Sequence, residues 1–177
     1  MMEEKFCPNV IEPSFGIGRV IYCIFEHCFK VRPEDAKRTF FTFPPLIAPV
    51  KTSILPLISS NEKLAEVVRN LKKFLNQEGI SSKVDDSSMT IGRRYARTDE
   101  CGIPFAITVD FESLEDKAVT LRDLHSMKQV RIPISELPQV MISVANATLS
   151  WSDVLAKYPE QAAKEAEEEE KTAETTD

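Results

Sequence analysis

The chain has little of what most catalytic motifs require. Its 177 residues include two histidines, His27 and His125, which leaves no credible Ser/His/Asp arrangement. Four cysteines, Cys7, Cys23, Cys28 and Cys101, show no framework spacing, so disulfide stapling is not expected and a reduced, cytosolic chain is the natural reading. No apolar run approaches the ~18 residues of a membrane span. The opening "MMEEKFCPNV" has no basic segment leading into an apolar one, so no secretory leader is expected. No internal repeat is present. Neither a membrane nor DNA is expected as a partner.

What is present is a chain with 42% hydrophobic residues, long enough to bury a real core. Its net charge of −6 is confined to one end. Residues 159–177 hold eight acidic and two basic side chains, and residues 1–158 hold 20 of each sign. A solvated, disordered acidic tail is expected there. The neutral remainder keeps a nucleic-acid partner open.

The elements alternate. Residues 19–31, "RVIYCIFEHCFKV", read as a helix apolar on nearly every face, which needs cover from other structure. "KVRPEDAKRTFFTFPP" follows as a polar connection, with a domain boundary near Phe43–Pro45. Residues 51–58 predict a strand. The next segment predicts an amphipathic helix on Leu64, Val67, Val68, Leu71 and Leu75, with Ser59 and Glu62 as a capping box and Gly79 after its last turn. Residues 81–86 and 105–111 predict strands flanking a helix on "TIGRRYARTDECG". "AVTLRDL" and "KQVRIPI" predict a hairpin across "HSM". Helices on "SELPQVMISVANA" and on "SWSDVLAKY", the latter capped by Ser150, complete the series. The order implies an α/β fold with a mixed five-stranded sheet and flanking helices.

Two stretches carry chemistry. "PNVIEPSFGIGRVIY" sets Glu12, Ser14, Gly16, Gly18 and Arg19 among apolar residues. "GIGRVI" has Ile21 where a dinucleotide fingerprint has its third glycine, and no P-loop Lys-Ser/Thr follows. A structural turn is the plain reading. The charged pair argues for more, because a buried carboxylate needs a partner and an arginine beside a glycine suits phosphate or an adenine face.

The second stretch, "SKVDDSSMTIGRRYARTDECGIP", gathers Lys83, Asp85, Asp86, Gly92, Arg93, Arg94 and Arg97. One reading is a solvated, salt-bridged face. The other is a nucleic-acid surface in which guanidiniums meet phosphate or bases and carboxylates accept from base amino groups. Gly92 would let phosphate approach the helix start. Arg122 on the hairpin is a further candidate, although a cross-strand ion pair explains it equally well. Cys23, His27 and Cys28 crowd one helix and cannot converge tetrahedrally alone, so no metal site is expected.

"PNVIEPSFGIGR" resembles motif 3 of the class II aminoacyl-tRNA synthetases, in the form that glycyl-tRNA synthetases of the eukaryotic, cytosolic type carry. "RTFF", "IAPVK", "KVDDSS", "IGRRYARTDE" and "GIPFAITVDF" are similar to the anticodon-binding domain that follows in that family. The resemblance covers residues 6–158. It implies a strand at Glu12–Ser14, with Glu12 meeting the glycine amino group, Ser14, Gly16 and Gly18 enclosing that substrate, and Arg19 contacting ATP. It implies tRNA binding through the 82–97 region and Arg122, with glycine-specific tRNA as partner. It also implies a parent homodimer that uses ATP and Mg to join glycine to tRNA through glycyl-adenylate.

Motifs 1 and 2 are not found in the chain. Residues 1–43 are therefore expected to be a catalytic-domain remnant, 44–158 the anticodon-binding domain and 159–177 the tail. This chain alone is expected to bind no cofactor and to be non-catalytic. The cytosol is the expected compartment, with a mitochondrial form compatible. The rival reading is a non-enzymatic synthetase-like accessory or protein-interaction domain.

Overall fold

The computed structural model describes residues 3, 5–33 and 35–161. In chain order these form α1 (Ile17–Cys28), β1 (Phe29–Arg32), β2 (Asp35–Phe41), β3 (Thr52–Pro56), α2 (Glu62–Gln77), β4 (Ser82–Val84) and α3 (Ile91–Glu100). There follow β5 (Phe105–Val109), a short α4 (Ser113–Asp116), β6 (Ala118–Asp123), β7 (Gln129–Pro133), α5 (Leu137–Ala145), α6 (Trp151–Lys157) and β8 (Glu160–Gln161).

The main sheet runs β4-β3-β5-β6-β7-β8. β3 is parallel to both β4 and β5, and β5 through β8 pair antiparallel. The five expected strands form this mixed sheet. The two-residue β8, which begins the stretch expected to be a tail, adds a sixth; the rest of that stretch lies outside the described residues. β3 and β5 are buried at every position, because helices cover both faces of the sheet there.

On one face, Ile54, Ile107, Val119, Leu121 and Ile132 meet α2, α5 and α6 in a single apolar cluster. α2 supplies Leu64, Val68, Leu71 and Leu75, the i, i+4, i+7, i+11 row of one helical face. Burying each leucine stabilises the fold by about 1.5–3 kcal/mol. Its N-terminus is capped by Asn61, whose side-chain oxygen accepts from the amides of Lys63 and Leu64. Ser59, expected to cap it, instead donates its hydroxyl to the Ser87 carbonyl at 3.0 Å. Gly79 follows the helix in the left-handed region, at φ 76°. Ser150 and Asp153 form a capping box on α6.

The other face receives α3 and, outside it, the β1–β2 hairpin. That hairpin corrects two expectations. The first helix ends at Cys28 rather than at residue 31, and the segment expected as a polar connection is a β-ribbon pairing Phe29 with Phe41 and Val31 with Thr39. Its aromatics explain it: Phe41 and Phe43 stack at 5.1 Å, and Phe25 of α1 meets both edge-on. Gly102, at φ 65°, sits under them; a Cβ there would lie 2.7 Å from Phe43 Cε2 and 2.8 Å from Phe41 Cβ. The turn that follows is tied to the sheet domain by Lys51, whose ammonium donates to the carbonyls of Pro45, Leu46 and Ala48. Burial lowers the pKa of that ammonium below the usual lysine range.

Candidate nucleic-acid interface

The opening stretch does not build a site by itself. Residues 5–16 carry no strand, because an isolated strand needs a neighbour to satisfy its backbone and none lies beside this one among the described residues. Glu12, Ser14, Gly16, Gly18 and Arg19 are all exposed. Gly16 instead starts α1, its carbonyl accepting from the amides of Arg19 and Val20 at 2.9 and 3.1 Å. The Arg19 stem lies against Gly16 and, with Ile24, His27 and Pro44, lines an open groove of 430 Å³.

The second stretch is organised. The chain leaves β3 and β4 at their carboxyl ends, where ligands bind in open α/β sheets, and α3 starts beside both exits. Arg94 straps the exits together, donating to the carbonyls of Pro56 at 2.7 Å, Leu57 at 3.1 Å and Asp85 at 3.3 Å. Asp85 closes the loop after β4 by accepting from the amide and hydroxyl of Ser87 at 3.2 and 2.8 Å. Arg97 donates to Asp85 through Nε at 3.1 Å and through a second bond, and reaches Ser87 Oγ at 2.7 Å. Burial alone would raise the Asp85 carboxyl, but the hydrogen bonds from Ser87 and Arg97 hold it below its ordinary value.

This clasp sorts the expected residues. Asp86, Gly92 and Arg93 are exposed around the start of α3, and Lys83 is exposed on β4. Arg97 is shared, its side chain 42% exposed while bonded to Asp85. Thr90 gives the helix no side-chain cap, so its first amides are open to an anion. Two expectations need correcting. Arg94, placed among the RNA-contacting arginines, is 1% exposed and positions the loops instead.

Arg122 is 5% exposed and bidentate on Asp99 of α3, at 2.8 and 3.1 Å. Its guanidinium lies 4.8 Å over the Tyr95 ring. The ion pair is real, but it runs from strand to helix rather than across strands.

The sequence reading did not find the role of Asp99. It also accepts from Arg32 of β1 at 3.1 Å, and Arg32 donates onward to the carbonyls of Leu124 and His125 and covers the Phe40 ring. α3 therefore holds the hairpin at one end and the loops after β3 and β4 at the other. Helical spacing carried a signal, since Ile91, Arg94 and Thr98 share the face that packs on the sheet.

Elsewhere, Arg131 spans Asp110 and Asp116, a structural tie. Trp151 packs 6.3 Å from Phe105 and anchors α6. All four cysteines are free.

A family model described as the anticodon binding domain matches residues 46–143. The glycine–tRNA ligase of Bombyx mori is 52% identical over 157 residues, which are 88% of this chain and 21% of that protein. The Caenorhabditis elegans glycine–tRNA ligase is 51% identical over 158 residues, again 88% and 21%. The crystal structure of prolyl-tRNA synthetase from Cryptosporidium parvum complexed with L-proline and AMP superposes with a TM-score of 0.55 at 26% identity. That match covers 60% of this chain and 24% of that one. The chain thus spans about a fifth of the length of the curated relatives it matches.

Proposed function

The chain belongs to the anticodon binding domain family, and from that premise we propose that it is the tRNA-recognising part of a glycine–tRNA ligase. Residues 44–158 are taken as the anticodon-binding domain and residues 1–43 as a remnant of the catalytic domain. The parent reaction joins glycine to its tRNA with ATP and magnesium through glycyl-adenylate, in a homodimer. This chain alone is non-catalytic, because Arg19 and Glu12 stand exposed and transition-state stabilisation needs several positioned charges. Free cysteines suit the cytosol.

The observation that carries the RNA reading is the clasp at the start of α3. Arg94 and Asp85 fix the loop, leaving Arg93, Lys83 and the first amides of α3 to meet phosphate and Asp86 to accept from a base. Specific recognition of RNA by splayed bases needs such a rigid, partly cationic platform. A second reading, a protein-interaction module, draws on α1, which buries none of its side chains.

Filter binding of the 177-residue chain to a tRNA with a glycine anticodon, against one mismatched there, separates the two. Arg93→Glu should weaken both tRNAs and flatten the salt dependence by about 0.7 in log affinity per log salt for each lost phosphate contact. Asp86→Asn should reduce discrimination between them. Unchanged affinity and selectivity in both folded variants would return α3 to a solvated face.

A further inference from the structure

Among the described residues, the guanidiniums around Asp99 outnumber the carboxylates that face them. Asp99 accepts two bonds from Arg122 and one from Arg32, which fills three of its roughly four lone-pair sites. Arg38 on β2 comes only to 3.9 Å, with its side chain 43% exposed, too far for a hydrogen bond. The Nε of Arg32 is buried without a hydrogen-bond partner among the described residues, so among them the cluster is short of acceptors. Glu100, exposed, is the second carboxylate lining the recess that Arg32 and Arg38 share. Arg32 and Arg122 are buried, at 7% and 5% exposure, so the surplus positive charge surfaces at Arg38.

The recess is continuous with the start of α3. Strand alternation turns Arg38 and Phe40 to the same side, and Phe40 is buried there beneath Arg32. On α3, Ala96 and Glu100, which line the recess, lie one and two turns beyond Arg93. At 1.5 Å per residue, Asp99 stands about 9 Å further along the axis than Arg93. A single strand engaged by Arg93 and laid along α3 arrives at Arg38. The recess itself has room for 10 Å³, one water at most, so an anion would have to bind at its mouth, on the exposed guanidinium.

We infer that Arg38 is a second phosphate-contacting residue, and that the RNA surface runs the length of α3 onto the β1–β2 hairpin. The inference rests on the RNA-binding reading of α3. The ligand chemistry is a phosphodiester, which a guanidinium can hold through two donors. Asp99 and Arg122 act as positioning residues, holding Arg32 and with it the hairpin in place beside the helix.

The test is a salt series of filter binding with the full 177-residue chain and the two tRNAs, comparing Arg38→Ala, Arg38→Lys and Arg93→Glu. Arg38→Ala should flatten the salt slope by about 0.7–0.9 and weaken both tRNAs by the same factor, while Arg38→Lys keeps most of the slope. Should Arg93→Glu flatten the slope while Arg38→Ala leaves it unchanged, the hairpin is outside the interface: the inference fails and the reading of α3 survives. If neither variant moves the slope, or the unmodified chain does not bind, both fall together. Relaxed discrimination with an unchanged slope in Arg38→Ala would mean a base contact and overturn the phosphate assignment.

Discussion

Helix α1 is apolar at eight of its twelve residues and buries none of them, whereas α3 is rich in charge and buries Arg94, Thr98 and Asp99. The usual pairing of polarity with exposure is broken in both, in opposite directions. In α3 the buried charges are used: each meets a carbonyl or an opposite charge, which offsets its desolvation. In α1 the apolar residues of the outer side stay exposed among the described residues, with Ile17 and Tyr22 each at 69%. The contrast separates a helix whose polar groups are satisfied from one whose apolar groups stay exposed among the described residues.

The comparison breaks most directly at Asp99. Asp99→Ala leaves two buried guanidiniums, those of Arg32 and Arg122, without their shared carboxylate. Loss of one partner from a buried pair costs about 3–5 kcal/mol, so the urea midpoint should fall steeply. Exchange of hairpin amides should rise before that of β5 and β6, because Arg32 is the hairpin's polar tie to α3. A loss under about 1 kcal/mol would mean that the cluster is held by its surroundings and contributes little.

Gly102→Ala should cost somewhat less. A left-handed backbone disfavours any Cβ by about 1–2 kcal/mol, and overpacking against the Phe41–Phe43 stack adds about 1–3 kcal/mol. A drop of about 2–5 kcal/mol with increased protease sensitivity near residues 29–43 is the expected result. An unchanged denaturation curve would show that the aromatic cluster shifts freely on the end of α3, and that α1 is not fixed to the domain.

Much of the frame was legible before any coordinates. The leucine row of α2, the hairpin across His125–Met127 and the largely apolar, fully buried β5 follow from spacing alone, since one face or both must reach a core. The end of α1 was not legible. Phe29–Val31 continues the apolar run, and only its aromatic partners across the ribbon fix it as strand.

The candidate site was half legible. Four arginines looked alike in sequence, yet Arg93 faces solvent, Arg97 is shared with Asp85, and Arg94 and Arg122 are buried. Periodicity separates Arg94 from Arg93, because Ile91 and Thr98 fall on its face. For Arg122 the strand alternation of Ala118, Thr120 and Arg122 carries the same hint. Nothing local marks Arg32, whose partner Asp99 is 67 residues away.

The smallest expected effect on stability tests the open side of the comparison. Ile17 and Ile21 are 69% and 46% exposed on α1, so replacing both with glutamine removes apolar surface without opening a cavity. Exposed substitutions of this kind stay within about 0.5 kcal/mol, and the midpoint should hardly move. Association should change much more. A contiguous exposed apolar face drives contact between chains, so sedimentation of the unmodified chain should show concentration-dependent self-association that Ile17→Gln/Ile21→Gln reduces. Deleting residues 1–42 is a poorer experiment, because it also removes Arg32 from Asp99 and Phe41 from Gly102. If the double variant loses several kcal/mol while the unmodified chain sediments as a monomer at all concentrations, α1 is covered within this chain, and the contrast with α3 does not hold.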